Sequence, residues 1–257
     1  MTEEVPPRGG AVLLRGDNVS LEDVRAVARE FKIAELAPDA IGPMTRSREL
    51  VERWVREGQI IYGITTGFGS LQSEVIPPED VEQLQENIIL SHSAGVGEPM
   101  PEEVVRAMMV LRANALAKGY SGIRVEVVER LLQLLNKRVC PVVPAKGSVG
   151  SSGDLAPLAH MTSVLIGAGE AFYQGERLPG LEALKRAGVA PVRLQVKEGL
   201  ALTNGTQFMS AVGLLALLDA ERLAKTADIA GAMSLEAMKG KRDAFVDAVH
   251  RLRPFEG

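Results

Sequence analysis

The chain has 257 residues, of which 46% are hydrophobic and 24% charged, with a formal net charge of -4. That is enough for one large domain or one and a half smaller ones, and the charge balance excludes the basic surplus of a nucleic-acid-binding surface. The only cysteine is Cys140, which excludes an intramolecular disulfide and a metal site built from several cysteines, and is expected in a reducing cytoplasm.

The N-terminus, MTEEVPPRGG, is polar and reads as no secretory leader. Ala11-Val12-Leu13-Leu14 then predicts a short strand closed by a Gly16-Asp17 turn. Ser20-Leu21-Glu22-Asp23 has the form of a capping box, with Val24, Val27, Ala28 and Phe31 following at helical spacing. Leu50, Val51, Trp54 and Val55 form a second helical stripe ending at Gly58. Gln59 to Ile64 predicts a strand, and a third helix is expected from Asp80. Pro101 opens a helix running to about Lys118, and Val125 to Asn136 predicts the next. Asp154 is placed to cap a helix that runs to about Ile166. Ala171-Phe172-Tyr173 followed by Gln174-Gly175 predicts a small hairpin. From about Gly205 to Met238 the chain is rich in Ala, Leu and Met, and predicts a long helix buried on much of its surface. Apolar runs near 161–172 and 208–220 are broken by Gly, Thr, Ser or charge before the ~20 residues of a membrane span. Regular βα alternation is absent, so a doubly wound sheet is not expected.

Three Gly-rich stretches lie between apolar segments instead of in charged linkers: 62–69, 91–97 and 147–154. Such loops mark close backbone approach. The third fails as a phosphate loop, because Gly153 is followed by Asp154 where a lysine is required, and Gly67-Phe68-Gly69 does not continue into a dinucleotide fingerprint. Pinned to a helix start, it has another option. The nitrogen of Gly153 can attack the carbonyl of Ser151, and loss of two waters, one taking the hydroxyl of Ser152, leaves an electrophilic methylidene. A helix N-terminus beside that ring adds favourable positive potential.

These motifs are where a resemblance enters. GSVGSSGDLAPLAH resembles the signature of the aromatic amino-acid ammonia-lyase and aminomutase family, and the likeness continues through YGITTGFG (62–69), LQENIILSHSAGVGEP (84–99), LRANALAKGYSG (111–122), VVPAKGSVG (142–150) and KEGLALTNGTQ (197–207). The resemblance implies a mainly α fold, in which a Gly-rich cofactor-loop domain with a few short strands (1–200) leads into a long-helix bundle (201–257) that is truncated. It implies the cofactor 4-methylidene-imidazol-5-one, formed autocatalytically from Ser151-Ser152-Gly153. The family triad usually begins with Ala; here Ser151 adds a hydroxyl to the ring and leaves the cyclising atoms unchanged.

By the same resemblance Tyr62 is the catalytic base for a substrate β-proton, and Asn204 binds the cofactor carbonyl or the substrate. His92, beside Ser91, resembles the branch that acts on histidine, where it meets the substrate imidazole. Gly63, Gly67, Gly69, Asp154 and Gln207 have supporting roles, and His160 is expected to be structural. No metal, nucleic acid or membrane is implied. The implied reaction is elimination of ammonia from L-histidine to give trans-urocanate; another aromatic amino acid, an aminomutase, or a folded fragment that never matures its cofactor remain alternatives. Family members are roughly double this length and self-associate as homotetramers with shared sites, so the chain is expected to be an N-terminal half with little or no activity alone.

Overall fold

The computed structural model describes residues 10–67, 76–77, 81–150 and 153–255. The chain divides into two compact units, Met1–Leu214 and Leu215–Gly257.

The first unit opens with strand β1 (Val12–Leu14), helix α1 (Leu21–Arg29) and strand β2 (Ala34–Leu36), with β1 and β2 paired in parallel across the helix. The capping box at Ser20 is complete: Asp23 N donates to Ser20 Oγ at 3.1 Å, and Ser20 N donates to Asp23 Oδ2 at 3.2 Å. Both bonds satisfy amides that an α-helix leaves free at its start.

Helix α2 (Pro38–Arg56) begins well before the stripe at Leu50 that predicts it. Pro38 suits the first helical position, but Gly42-Pro43 reads as a break because Pro43 has no N–H for the helical ladder. The helix persists because Ala40, Met44, Arg48 and Val51 are buried along one face. Helix α3 (Val81–His92) and strand β3 (Val96–Pro99) follow; the expected start at Asp80 lies outside the described residues.

Helix α4 (Glu102–Ala117) is the centre of the unit, buried continuously from Val104 to Val110. Helices α1 and α5 (Val125–Asn136) pack on it. Val127, Val128, Leu131, Leu134 and Leu135 of α5 are buried, each such side chain contributing roughly 1.5–3 kcal/mol relative to exposure. Strands β4 (Cys140–Pro141) and β5 (Pro144–Lys146) lead to helix α6 (Leu155–Leu165). Strands β6 (Glu170–Tyr173) and β7 (Glu176–Pro179) form the expected hairpin, joined in the order β4-β6-β7. Its two turn residues, Gln174 and Gly175, both have positive φ, 52° and 84°, which matches the twist of the paired strands. Helices α7 (Gly180–Arg186) and α8 (Glu198–Thr203) complete the unit, and α3, α6 and α8 pack on one another.

Two expectations are corrected. Residues 59–64 form no strand, and 62–65 are a turn: the amides of Ile64 and Thr65 both return to Ile61 O, while Thr65 Oγ1 accepts from Ile61 N and donates to Gln59 O. The threonine hydroxyl takes up backbone groups that a strand partner would need. Helix α9 (Gln207–Ala237) has the expected extent but is not buried on much of its surface. Phe208, Ala211 and Leu215 are buried, whereas Leu223 is 70% exposed and Met233 67%. The stretch Glu198–Ala237 is also long and apolar enough to cross a membrane by length and composition alone, where the sequence reading expected its apolar runs to stop short. In the second unit α9 is followed by a 3-10 turn (Arg242–Phe245) and helix α10 (Asp247–His250).

Candidate active site

The 147–153 loop joins β5 to α6. Ser151 and Ser152 lie outside the described residues; Gly153, the third member of the triad, is described. It is buried, with φ +114°, in a region that L side chains rarely adopt. Steric closure adds to that requirement. A Cβ on Gly153 would sit 2.7 Å from Gly205 N and 2.9 Å from Gly205 C, and would overlap Gly205 O. Gly205 O accepts from Asp154 N at 2.5 Å, so the two segments are locked backbone to backbone.

Asp154 is fully buried at the start of α6, but its carboxylate makes no cap bond to that helix. This corrects the expected role. Oδ1 accepts from Ser148 Oγ at 2.5 Å, and Oδ2 accepts from Met209 N at 2.8 Å. Met209, 55 residues downstream, is in the first turn of α9, so Asp154 caps that helix and ties Ser148 to it. The backbone of Asp154 still starts α6 by accepting from Leu158 N.

The turn between α8 and α9 is the second component. Asn204 is the exposed C-cap of α8, with its N–H bonded to Leu200 O. Gln207 opens α9 and accepts through Oε1 from Arg112 Nη1 at 2.8 Å; Arg112 Nη2 donates to Ala201 O. Arg112 is buried in α4, and burial pushes its guanidinium down to about 10, which keeps it charged at neutral pH. Lys197, just before α8, is held below the usual lysine range, first by burial and then by Arg112. It is in the left-handed region at φ 75°. Glu198, fully buried, pairs with Arg124 at 2.8 Å and anchors the start of α8.

The 91–97 loop is the third component. Strand β3 pairs antiparallel with β5, which sets this loop beside Gly147. A Cβ on Gly147 would stand 3.1 Å from Gly95 Cα, and Gly95 N donates to His160 Nε2 at 3.0 Å. His160 on α6 is therefore the structural residue expected, and its burial lowers its pKa below the usual histidine value. His92 closes α3. Its Nδ1 lies 2.8 Å from Ile88 O and 3.2 Å from Ser91 Oγ. A carbonyl only accepts, so Nδ1 carries the proton and Nε2 is left as an acceptor.

Tyr62 opens the 62–65 turn and is 58% exposed, so it is not a core aromatic. Gly63 follows it with φ +71° and donates to Thr66 Oγ1 at 3.3 Å, giving the sharp reversal that presents Tyr62. Gly67 is buried, and Gly69 lies outside the described residues. Among the described residues, Gly153, Asp154, Gly205 and Gln207 are brought together, while no hydrogen bond joins Tyr62 to Gly153, His92 or Asn204. The sequence reading missed Arg112 and Lys197. The signal for Arg112 was a lone cation within the apolar run MMVLRANALA (108–117); Lys197 carried none.

A family model described as aromatic amino acid lyase matches residues 19–257. A histidine ammonia-lyase of Caldanaerobacter subterraneus is 55% identical over 249 residues, covering 96% of this chain and 48% of that protein. The crystal structure of histidine ammonia-lyase from Trypanosoma cruzi is similar with a TM-score of 0.90 at 40% identity, again covering 96% of this chain and 48% of that one. Phenylalanine aminomutase of Pantoea agglomerans reaches a TM-score of 0.89 at 35% identity over the same shares. The chain thus spans about half the length of the curated relatives it matches.

Proposed function

The chain belongs to the aromatic amino acid lyase family, and on that premise we propose that it carries the cofactor-forming half of an enzyme that eliminates ammonia from L-histidine to give trans-urocanate. The first 200 residues form the cofactor and the remainder begins the helical bundle; the complete site draws on the rest of a self-associating, homotetrameric assembly in the cytoplasm. The observation that carries this reading is Gly153, buried at positive φ directly under Gly205, at the start of α6.

That position fits 4-methylidene-imidazol-5-one formed from Ser151, Ser152 and Gly153. Ring closure needs a third residue with no side chain in a tight left-handed bend, and here a Cβ would overlap the Gly205 carbonyl. The α6 N-terminus adds positive potential at the same place. When formed, the group supplies an electrophile that none of the twenty side chains provides.

The chain's own residues divide the remaining work. Tyr62, held out by the Gly63 turn, takes the substrate β-proton as general base. Asn204, at the rim beside Gly205, offers its amide to the substrate or to the ring carbonyl, where negative charge gathers. His92 supports histidine as substrate. With its proton fixed on Nδ1 by Ile88 O, Nε2 is an acceptor suited to an imidazole N–H and of no use to a phenyl ring.

The test is a substrate panel on the assembled enzyme. L-histidine should release ammonia and urocanate, and His92→Leu should lower kcat/KM for histidine at least tenfold, about the value of one hydrogen bond to a polar substrate group. Equal turnover of phenylalanine and histidine, or histidine turnover untouched by His92→Leu, would overturn the assignment.

A further inference from the structure

We propose that Arg112 is a positioning residue for cofactor formation, stapling the α8–α9 turn so that Gly205 presses on Gly153 while the ring closes. This rests on the reading of Ser151-Ser152-Gly153 as the cofactor precursor.

Three buried arginines occur among the described residues, and two have ordinary explanations. Arg48 pairs with Glu52 at 2.8 Å and faces Glu198. Arg106 donates to the carbonyls of Val27 and Leu135 near helix ends, and stacks 4.5 Å from the Phe31 ring. Arg112 has neither a carboxylate nor an aromatic partner among the described residues, and its Nε–H has no acceptor there. An uncompensated buried cation is costly, so its retention needs a local return.

What Arg112 touches identifies that return. Its two Nη groups reach Ala201 O, in the last turn of α8, and Gln207 Oε1, at the first residue of α9. The rigid guanidinium fork thus spans the Asn204-Gly205-Thr206 turn, which a single ammonium cannot do. Gly205 is closed from both sides. A Cβ there would overlap Gln207 Oε1 and Arg112 Nη1, while its opposite side meets Gly153. The Asp154 carboxylate holds the other end of the arrangement through Met209 N. Gly205 is therefore a wall backed by Arg112, and Gly153 is the residue pressed against it.

Ring closure forms a bond from Gly153 N to the Ser151 carbonyl carbon. The carbonyl oxygen leaves as water with the protons of Gly153 N and Ser152 N, giving a C=N bond. Ser152 Oγ leaves as a second water with its own proton and the Ser152 Cα proton, giving the Cα=Cβ bond. No oxidant is required. Bringing an amide nitrogen into bonding distance of a carbonyl two residues earlier is a matter of confinement, and a backed wall supplies it.

The experiment is a time course of intact mass for the whole polypeptide, unsubstituted and as Arg112→Met, Gln207→Leu and Gln207→Glu. Only the soluble fraction with the unsubstituted protein's size and melting midpoint is read. The unsubstituted protein should be lighter by two waters. Arg112→Met should remain undehydrated, Gln207→Leu should dehydrate at least tenfold more slowly, and Gln207→Glu, which keeps the acceptor, should recover the rate. Folded Arg112→Met and Gln207→Leu proteins that dehydrate at the unsubstituted rate would overturn the proposal. If Arg112→Met does not fold, Gln207→Leu decides it in the same way. An unsubstituted protein with no mass loss overturns the cofactor reading itself, and this inference with it.

Discussion

Gly205 shows how few atoms define the candidate site. Its peptide lies between Gln207 and Arg112 on one side and Gly153 on the other, with no space for one methyl group. Gly205→Ala should therefore destabilise the protein by about 1–3 kcal/mol, the range for forcing extra carbon into a packed region, read as a lower denaturation midpoint. Unchanged stability would mean that the turn relaxes freely. His160 offers a test that depends on pH. Its Nε2 accepts from Gly95 N, which only the neutral ring can do, and burial holds its pKa below the usual histidine value of 6.5. The unfolded chain thus takes up the proton first as pH falls. The contribution is complete above pH 6.5 and is lost as pH drops through the folded value. The melting midpoint should fall over that window, and His160→Gln should flatten the fall; an identical slope would exclude His160 as its source.

At the scale of elements, the carboxylate of Asp154 couples α6 to α9. It starts one helix through its backbone and caps the other through its side chain. Asp154→Ala removes the cap and leaves Ser148 Oγ without its acceptor, at a cost of about 1–3 kcal/mol. Amide exchange at Met209 should accelerate while α4 and α5 remain protected; unchanged exchange would exclude the cap. The elements legible in the sequence were those carrying their own punctuation: α1 with its capping box, α4 after Pro101, α5, and the hairpin around Gln174-Gly175. The first half of α2 was hidden because Gly42-Pro43 breaks the local rule and only burial of Ala40 and Met44 restores the helix. Residues 59–64 look like a strand in composition, but Thr65 captures the backbone groups. The motif residues at Gly153 and Gln207 could be read from pattern, whereas the Arg112 staple and the true target of Asp154 could not. Both depend on contacts between segments 55 or more residues apart.

For the molecule as a whole, α9 is the outstanding feature. Leu223, Ile229 and Met233 are exposed in a single chain, and such apolar surface favours association. Light scattering of the 257-residue chain should show a mass that rises with concentration above the 27.5 kDa monomer; a monomer at all concentrations would contradict this. The buried Cys140 gives an independent view of global opening. Burial pushes its thiol up to about 12, so a thiol reagent should label it only as the chain unfolds. These properties describe a folded framework, and the central claim concerns what that framework makes of three residues. Tandem mass spectrometry of the peptide containing residues 147–158, taken from the assembled protein, tests it directly. The account predicts a loss of two waters confined to Ser151-Ser152-Gly153; an unmodified peptide from protein that turns over histidine would contradict it.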